Sequence, residues 1–379
     1  MSVRLSESII TLVLFALVVP VAVLPWVHWQ YRRRGRLSGW AAVVAAGSAL
    51  YGCGLVAFTL FPLPDVTGAF CESRALRDYW QTRPFASLDD IAAAGYSPTS
   101  PEFLQVALNV VLFVPLGFLL RYRFGRGVVA ATAIGALVSL AVETTQGTAV
   151  FGLYPCPYRV ADVDDLMTNT AGAVLGWLLA RWLGRLLPPA VPEPVPDTGR
   201  PGLLRRGFAF AGDLLTLTLV QFACRVVLVL IGEGTGTPWL TELATSDWFG
   251  GALGVLVPVV ATVVVPLLRA DRATPGQVAF HLALVDARTG GRAPARAVVL
   301  RFALWWLPVL LLISTGHSGV VFFAALVVGL AARSRTDRRS LLGLISTTDT
   351  TTTTRVLRSQ HPCPTPGTPE LNAQREPEP

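Results

Sequence analysis

The sequence predicts an all-α fold: a polytopic transmembrane helix bundle of about nine spans in two modules, with the N-terminus outside and the C-terminus cytoplasmic. Three observations carry this reading. Apolar residues make up 52% of the 379-residue chain and charged residues only 15%, with a mean hydropathy of +0.54, whereas a soluble domain is about a quarter charged. The apolar residues gather in runs close to the roughly 20 residues that a helix needs to cross a bilayer. All 31 basic residues are arginine, and they cluster between those runs, so the net charge of +7 reads as membrane orientation and not as nucleic-acid binding. An ordinary cytosolic enzyme, a disordered hub and a secreted disulfide scaffold are all excluded. Five cysteines without a CxxC pair and four scattered histidines give no zinc-site spacing, and no cofactor is expected.

The runs, taken in order, cover residues 9–27, 40–61, 103–120, 127–146, 166–184, 207–231, 248–268, 297–314 and 318–332. The last two are short, and Arg301 sits inside the first of them, so a re-entrant hairpin is the alternative for that pair. Placing the N-terminus outside puts Arg32, Arg33, Arg34 and Arg36 in the cytoplasm, together with Arg121, Arg123, Arg126, the 269–296 loop and the tail. Only Arg4, Arg74, Arg77, Arg83 and Arg159 then lie outside, and Arg225 lies within a span. The first run precedes its positive cluster, so it reads as an N-out anchor and not as a cleaved signal peptide.

A proline-rich stretch, Pro188 to Asp197, forms a semi-rigid linker. The expected organisation is a five-span module over 1–187, a cytoplasmic linker over 188–202, a second membrane module over 203–345 and a disordered Thr/Pro-rich tail over 346–379.

Polar residues inside spans are expensive and mark function or helix–helix pairing. In the first module they gather toward one surface. Asn109 lies on the third span, Glu143 and Gln146 share a face of the fourth at i,i+3, and the following loop supplies Arg159, Asp162, Asp164 and Asp165. Asn169 follows one turn into the fifth span, and Gly172 and Gly176 continue its face as a small-xxx-small strip. Each residue also has a structural explanation: interhelical hydrogen bonds for the asparagines, capping of the fifth span for one aspartate, and neutralisation of one carboxylate for Arg159. Together they form a candidate polar, acidic extracytoplasmic cluster, with Asn109, Glu143, Gln146, Asp165 and Asn169 expected to converge.

These residues resemble the VanZ-like family. The resemblance rests on Asn109-x-x-Leu112-Phe113-x-Pro115-Leu116-Gly117, Glu143-x-x-Gln146, and Arg159-x-x-Asp162-x-Asp164-Asp165-Leu166-x-x-Asn169-Thr170-x-Gly172, with Thr59-Leu60-Phe61-Pro62 closing the second span. It covers roughly residues 40–185. The family is named for a membrane protein linked to resistance to the glycopeptide antibiotic teicoplanin, so the resemblance implies a role in the bacterial cell envelope and a multi-pass plasma-membrane location.

In the second module Arg206 lies at the inner membrane edge and Asp213 about two turns into the sixth span. Arg225, too distant on the same helix to pair with Asp213, reads as a snorkelling side chain. Asp213 is expected to pair with an arginine of the cytoplasmic loop such as Arg296 or Arg301. Arg206, Asp213, the Thr274-Pro275-Gly276-Gln277 loop and Arg301 resemble the RDD family over about 203–348, with Arg338-Arg339-Ser340-Leu341-Leu342 fitting its tail. Gly343 stands where the second aspartate is expected. The resemblance implies a cation/proton transport activity, and that missing aspartate counts against it.

The expected partners are membrane lipids, with a lipid-linked envelope precursor or a glycopeptide as ligands of the acidic cluster, and no nucleic acid. The oligomeric state is open. Two alternatives stand beside a binding role: transport through Asp213 or Glu143, and an enzyme using Glu143 with an aspartate of the 162–165 group. The enzyme ranks last, because His28, His281, His317 and His361 accompany none of those carboxylates. Finally, the arginine pattern places Cys71 and Cys156 in outer loops, where oxidation is permitted, and predicts a disulfide between them.

Overall fold

The computed structural model describes residues 3–61, 71, 79–157, 159–197, 199–317, 319–321, 323–324, 327–328, 341–354 and 356. Seven of its helices are long and apolar enough to cross a membrane: Glu7–Arg34, Gly39–Leu60, Pro101–Tyr122, Val128–Gly147, Leu203–Thr235, Asp247–Leu268 and Ala295–Ser314. The expected fifth span is the helix Val163–Leu183, whose length suffices but whose first turn carries Asp164 and Asp165. The expected ninth, 318–332, lies in part outside the described residues. The fold class is all-α and polytopic, as read from the sequence.

The chain divides into two compact units, one formed by Met1–Val19 and Ser38–Glu193 and the other by Pro20–Leu37 and Pro194–Pro379. Helix α1 (Val3–Arg34) contributes to both.

In the first unit α2 (Gly39–Leu60) starts at Ser38, whose side chain accepts from Ala41 N. A short strand β1 (Trp80–Gln81) and helix α3 (Ala86–Ala93) lead to α4 (Pro101–Tyr122). Ser100 caps α4, and Pro101 fills its first turn, where a missing N–H costs nothing. Helix α5 (Val128–Gly147) follows, then strand β2 (Ala161–Asp162), parallel to β1, and α6 (Val163–Leu183) with Asp162 as its N-cap. Along α5 the buried positions Ala131, Gly135, Ser139, Glu143 and Gln146 recur at helical spacing, while Leu137 and Leu140 are exposed. This is the arrangement that lipid favours: small and polar side chains turn into the bundle, and large apolar ones turn outward.

The closest approach is between α4 and α6. A Cβ on Gly117 would stand 2.6 Å from the Ala173 carbonyl carbon, and one on Gly172 would stand 3.0 Å from that of Val110. Glycine is what lets the two backbones touch. Above the helices Cys71 and Cys156 form a disulfide with a Cα–Cα distance of 5.6 Å, as the arginine pattern predicted.

In the second unit α7 (Leu203–Thr235) is followed by a short helix α8 (Pro238–Thr245), then α9 (Asp247–Leu268), α10 (Pro275–Ala279), strand β3 (Leu282–Asp286), α11 (Ala295–Ser314), α12 (Leu341–Ile345) and strand β4 (Thr348–Thr352). Both α9 and α11 contain a π-helical turn, at Val260–Val264 and Phe302–Trp306. Each turn lies just before a proline, Pro266 or Pro308, whose absent N–H leaves a carbonyl one turn earlier without its usual partner.

Strand β4 corrects the reading of the tail as disordered from residue 346. Thr348–Thr352 pairs antiparallel with β3, and Thr348 and Thr352 are fully buried. Threonine's branched side chain suits a strand, and β3, with Leu282, Ala283 and Leu284 buried, supplies a partner that composition does not show. Residues 357–379 of the expected tail lie outside the described residues.

Toward the C-terminal end of α1, His28 lies with its ring centroid 4.8 Å from that of His281, and Arg205 stacks over Tyr31 while pairing with both Asp197 oxygens at 2.8 and 2.7 Å. Burial, reinforced by the charge of His28, pushes His281 down to about 4. The unfolded value is near 6.5, so the unfolded chain binds the extra proton between about pH 6.5 and pH 4. Stability in this unit is therefore expected to be intact above pH 6.5 and to fall as pH drops through that window. His281 has φ +50°, a conformation that asparagine tolerates, so His281→Asn is expected to flatten the dependence in a thermal melt series from pH 7.5 to pH 4. An unchanged slope would overturn this assignment.

Candidate functional site

The polar residues of the first unit come together at the ends of α2, α4, α5 and α6. At its start α6 is held by acids. Asp162 caps it, with Oδ1 accepting from Asp164 N at 2.8 Å and from Gln81 Nε2 at 3.3 Å. Asp164 reaches across to α3, where its two oxygens accept from Phe85 N at 2.6 Å and Ser87 N at 2.8 Å. Glu143, buried on α5, accepts from Asp162 N at 2.9 Å. One turn further, Asn109 on α4 donates to Asp165 Oδ1 at 2.5 Å. Asn169 donates to Ser139 Oγ at 3.0 Å, and its own Oδ1 is buried with no hydrogen-bond partner among the described residues.

The remaining two members serve α2. Gln146 Nε2 donates to Thr59 O at 2.7 Å, and Arg159 donates to Phe61 O at 2.9 Å and more weakly to Phe58 O at 3.4 Å. These are last-turn carbonyls, which have no partner within the helix. Arg159 is thus committed to backbone, and it does not ion-pair with any carboxylate of the cluster. The structure brings Asn109 to Asp165, Asn169 to the α5 face that carries Glu143, and Glu143 to Asp162. Ser139, the partner of Asn169, lies one turn before Glu143 on α5.

The result is four carboxylates, Glu143, Asp162, Asp164 and Asp165, with no ion pair to an arginine among the described residues. Asp164 is spent on α3. Burial pushes the Asp162 carboxyl above its ordinary value, the Asp164 N–H counters this, and the negative charges of Asp164 and Asp90 add to it. Among the described residues no group of three His, Cys, Asp or Glu is placed to hold a metal ion. Sequence reasoning missed Ser139, although its place one turn before Glu143 in an apolar run was a signal. It also missed Gln81, whose role depends on the β1–β2 pairing that no local pattern announces.

In the second unit Asp213 is buried on α7, and its partners differ from the expected arginines. Thr274 Oγ1 donates to one oxygen at 2.7 Å and Gly276 N to the other at 2.6 Å. Thr274 and Gln277 form a capping box at the start of α10, and a Cβ on Gly276 would stand 2.6 Å from Asp213 N. The Thr-x-Gly spacing is therefore a carboxylate cradle. Arg301 instead donates to Thr348 Oγ1 at 3.2 Å on β4. Arg206 feels the charge of Asp349, six residues beyond Gly343, where the second acid was expected. Arg338, Arg339 and Ser340 lie outside the described residues.

Comparison with known families matches these two constellations separately. Residues 48–184 match the VanZ/LLP1 family model, and residues 200–343 match the RDD family model. The chain joins a VanZ-like domain to an RDD domain. Searches of curated proteins and of solved structures return no match. Both families are membrane families, and with seven span-length apolar helices the protein is a multi-pass membrane protein. The VanZ-like domain contains the whole acidic cluster, and the RDD domain contains Arg206, Asp213, Gly276 and Arg301.

Proposed function

We propose that the VanZ-like domain is an extracytoplasmic binding module of the cell envelope, whose acids receive an amine- or hydroxyl-bearing group of an envelope component. The observation that carries this reading is the set Glu143, Asp162 and Asp165, gathered where α5 ends and α6 begins while the adjacent Arg159 is committed to carbonyls. Acids in such a setting favour a ligand that brings hydrogen-bond donors or positive charge. The arginine distribution and the Cys71–Cys156 disulfide both support an outward-facing cluster, since oxidation belongs to that side. The candidate ligands are a lipid-linked precursor, a lipid headgroup, or a glycopeptide such as teicoplanin.

Asp164 is a poor probe, because removing it strands the N–H groups of Phe85 and Ser87. Asp165→Asn preserves shape, changes charge and touches the side-chain hydrogen bonds with Asn109 and Gln105. In a host challenged with teicoplanin, Asp165→Asn is expected to shift susceptibility several-fold relative to wild type at equal protein level. Lipid extracts from knockout and wild-type cells, compared in parallel, separate binding from turnover of a lipid-linked substrate. Unchanged susceptibility together with an unchanged lipid profile would overturn the reading.

A further inference from the structure

The seam between α5 and α6 of the VanZ-like domain is built in rungs one helical turn apart. In the middle rung Asn169 Nδ2 donates to Ser139 Oγ at 3.0 Å. Glu143 follows Ser139 by four residues on α5, and Asp165 precedes Asn169 by four on α6. The two carboxylates therefore stand one turn, about 5.4 Å, nearer the start of α6. They are close enough for the charge of Asp165 to act on Glu143. One turn in the other direction Gly135 faces Ala173, and a Cβ on Gly135 would stand 2.6 Å from the Ala173 Cβ. The seam is thus closed on one side of Asn169 and acidic on the other. Asn169 itself is 4% exposed, and its Oδ1 has no hydrogen-bond partner among the described residues. An unpaired oxygen so deep keeps its whole desolvation cost until a donor arrives. Glu143 has one oxygen on Asp162 N and the other without a donor among the described residues. Asp165 accepts from Asn109 and Gln105, and its carboxylate has further lone pairs. All three groups with capacity to spare are acceptors.

We propose that a primary ammonium group binds between these rungs, donating to Asn169 Oδ1, Glu143 and Asp165. The proposal rests on the reading of the cluster as a binding module and narrows its ligand. A primary ammonium brings three N–H donors for three acceptors, and its charge relieves the repulsion between the two carboxylates. Its nitrogen bonds at about 2.7–2.9 Å, half the spacing of the rungs, so one group reaches both. A hydroxyl has a single donor and would leave two acceptors unfilled, and a quaternary ammonium has none. Closure at Gly135 and Ala173 admits only a small terminal group, with the body of the ligand toward the start of α6. The ethanolamine headgroup of a phospholipid and a free small amine present the same recognised chemistry, and the test separates them.

The full-length protein in detergent is melted in ethylammonium chloride and in tetramethylammonium chloride of equal concentration. It is then melted in nanodiscs of phosphatidylcholine with and without phosphatidylethanolamine. Wild type is expected to be stabilised by ethylammonium over tetramethylammonium, by phosphatidylethanolamine, or by both. Stabilisation by phosphatidylethanolamine alone identifies a lipid headgroup, and stabilisation by ethylammonium identifies a site that accepts the free amine. The half-saturating concentration is expected to rise about tenfold in Asn169→Leu, the loss of one charge-assisted contact. Asn169→Asp keeps an acceptor in place and keeps the response, as does Thr132→Ala, whose hydroxyl bonds Val128 O within α5. Should Asn169→Leu fail to fold, Glu143→Gln decides: its amide oxygen still accepts from Asp162 N, and the same tenfold rise is expected. Equal responses to ethylammonium and tetramethylammonium, no response to either primary amine, or a folded variant of Asn169→Leu or Glu143→Gln that responds like wild type overturns the proposal. If Asp165→Asn shifts susceptibility while no primary amine stabilises the protein, ammonium is rejected as the ligand and the binding module stands.

Discussion

Replacing Gly176 with alanine is expected to abolish the native packing of the VanZ-like domain. The added Cβ would run into the Val114 carbonyl, with the carbonyl carbon at 2.8 Å and Phe118 N at 2.9 Å. Both are backbone atoms of α4, so no rotamer change relieves the clash, and the helices must separate. Overpacking of this kind costs about 3 kcal/mol and can cost more. Separation would also pull Asn109 from Asp165, since that bond crosses the same α4–α6 seam. Gly52→Ala is the matched control: it lies mid-helix on α2, where a Cβ would meet nothing within 4 Å, and should be neutral or slightly stabilising. In detergent, Gly176→Ala should lose its monodisperse chromatographic peak or melt many degrees earlier, while Gly52→Ala behaves as wild type. Equal melting of the two variants would refute the close approach of α4 and α6.

The double variant Cys71→Ala/Cys156→Ala is expected to show the next largest loss. The bridge spans a sequence separation of 85 residues, and removing a native disulfide costs about 2–5 kcal/mol. Membrane insertion of the helices between the two cysteines already restrains that loop, which places the expected cost in the lower half of the range. Reductant should lower the unfolding midpoint of wild type to that of the variant and leave the variant unmoved. Should reductant change neither protein, the bridge contributes nothing to stability. Loss of the bridge also frees the loop carrying Arg159 three residues after Cys156, so the carbonyls of Phe58 and Phe61 should exchange partners with water, visible as faster amide exchange at the end of α2.

The spans were legible because lipid writes its demand along the chain. A helix such as Pro101–Tyr122 needs an unbroken apolar run, and Ser100-Pro101 marks its start locally. Residues at one depth on antiparallel neighbours lie near one another for a related reason, and the structure joins Asn109 to Asp165 and Glu143 to Asp162. The disulfide followed from the same topology. Strand β4 was not legible, because Thr348–Thr352 reads as a polar low-complexity segment until β3 lies beside it, with Thr348 opposite Asp286 and Thr352 opposite Leu282. The partner of Asp213 was misread for the opposite reason. Charge complementarity suggested an arginine, whereas the backbone N–H of Gly276 and a hydroxyl satisfied the carboxylate at closer range.

What the sequence by itself determined is therefore the membrane class, the helical fold and the two families in tandem, because each is set by hydrophobicity, length and motif along one dimension. Which polar groups are committed to holding the fold and which are left without an ion pair among the described residues was decided only by the tertiary structure. Arg159 caps Phe61 across 98 residues, and Gln146 caps Thr59 across 87. A hydrogen bond depends on distances of about 3 Å between atoms, and no pattern along the chain records which distant carbonyl will arrive there.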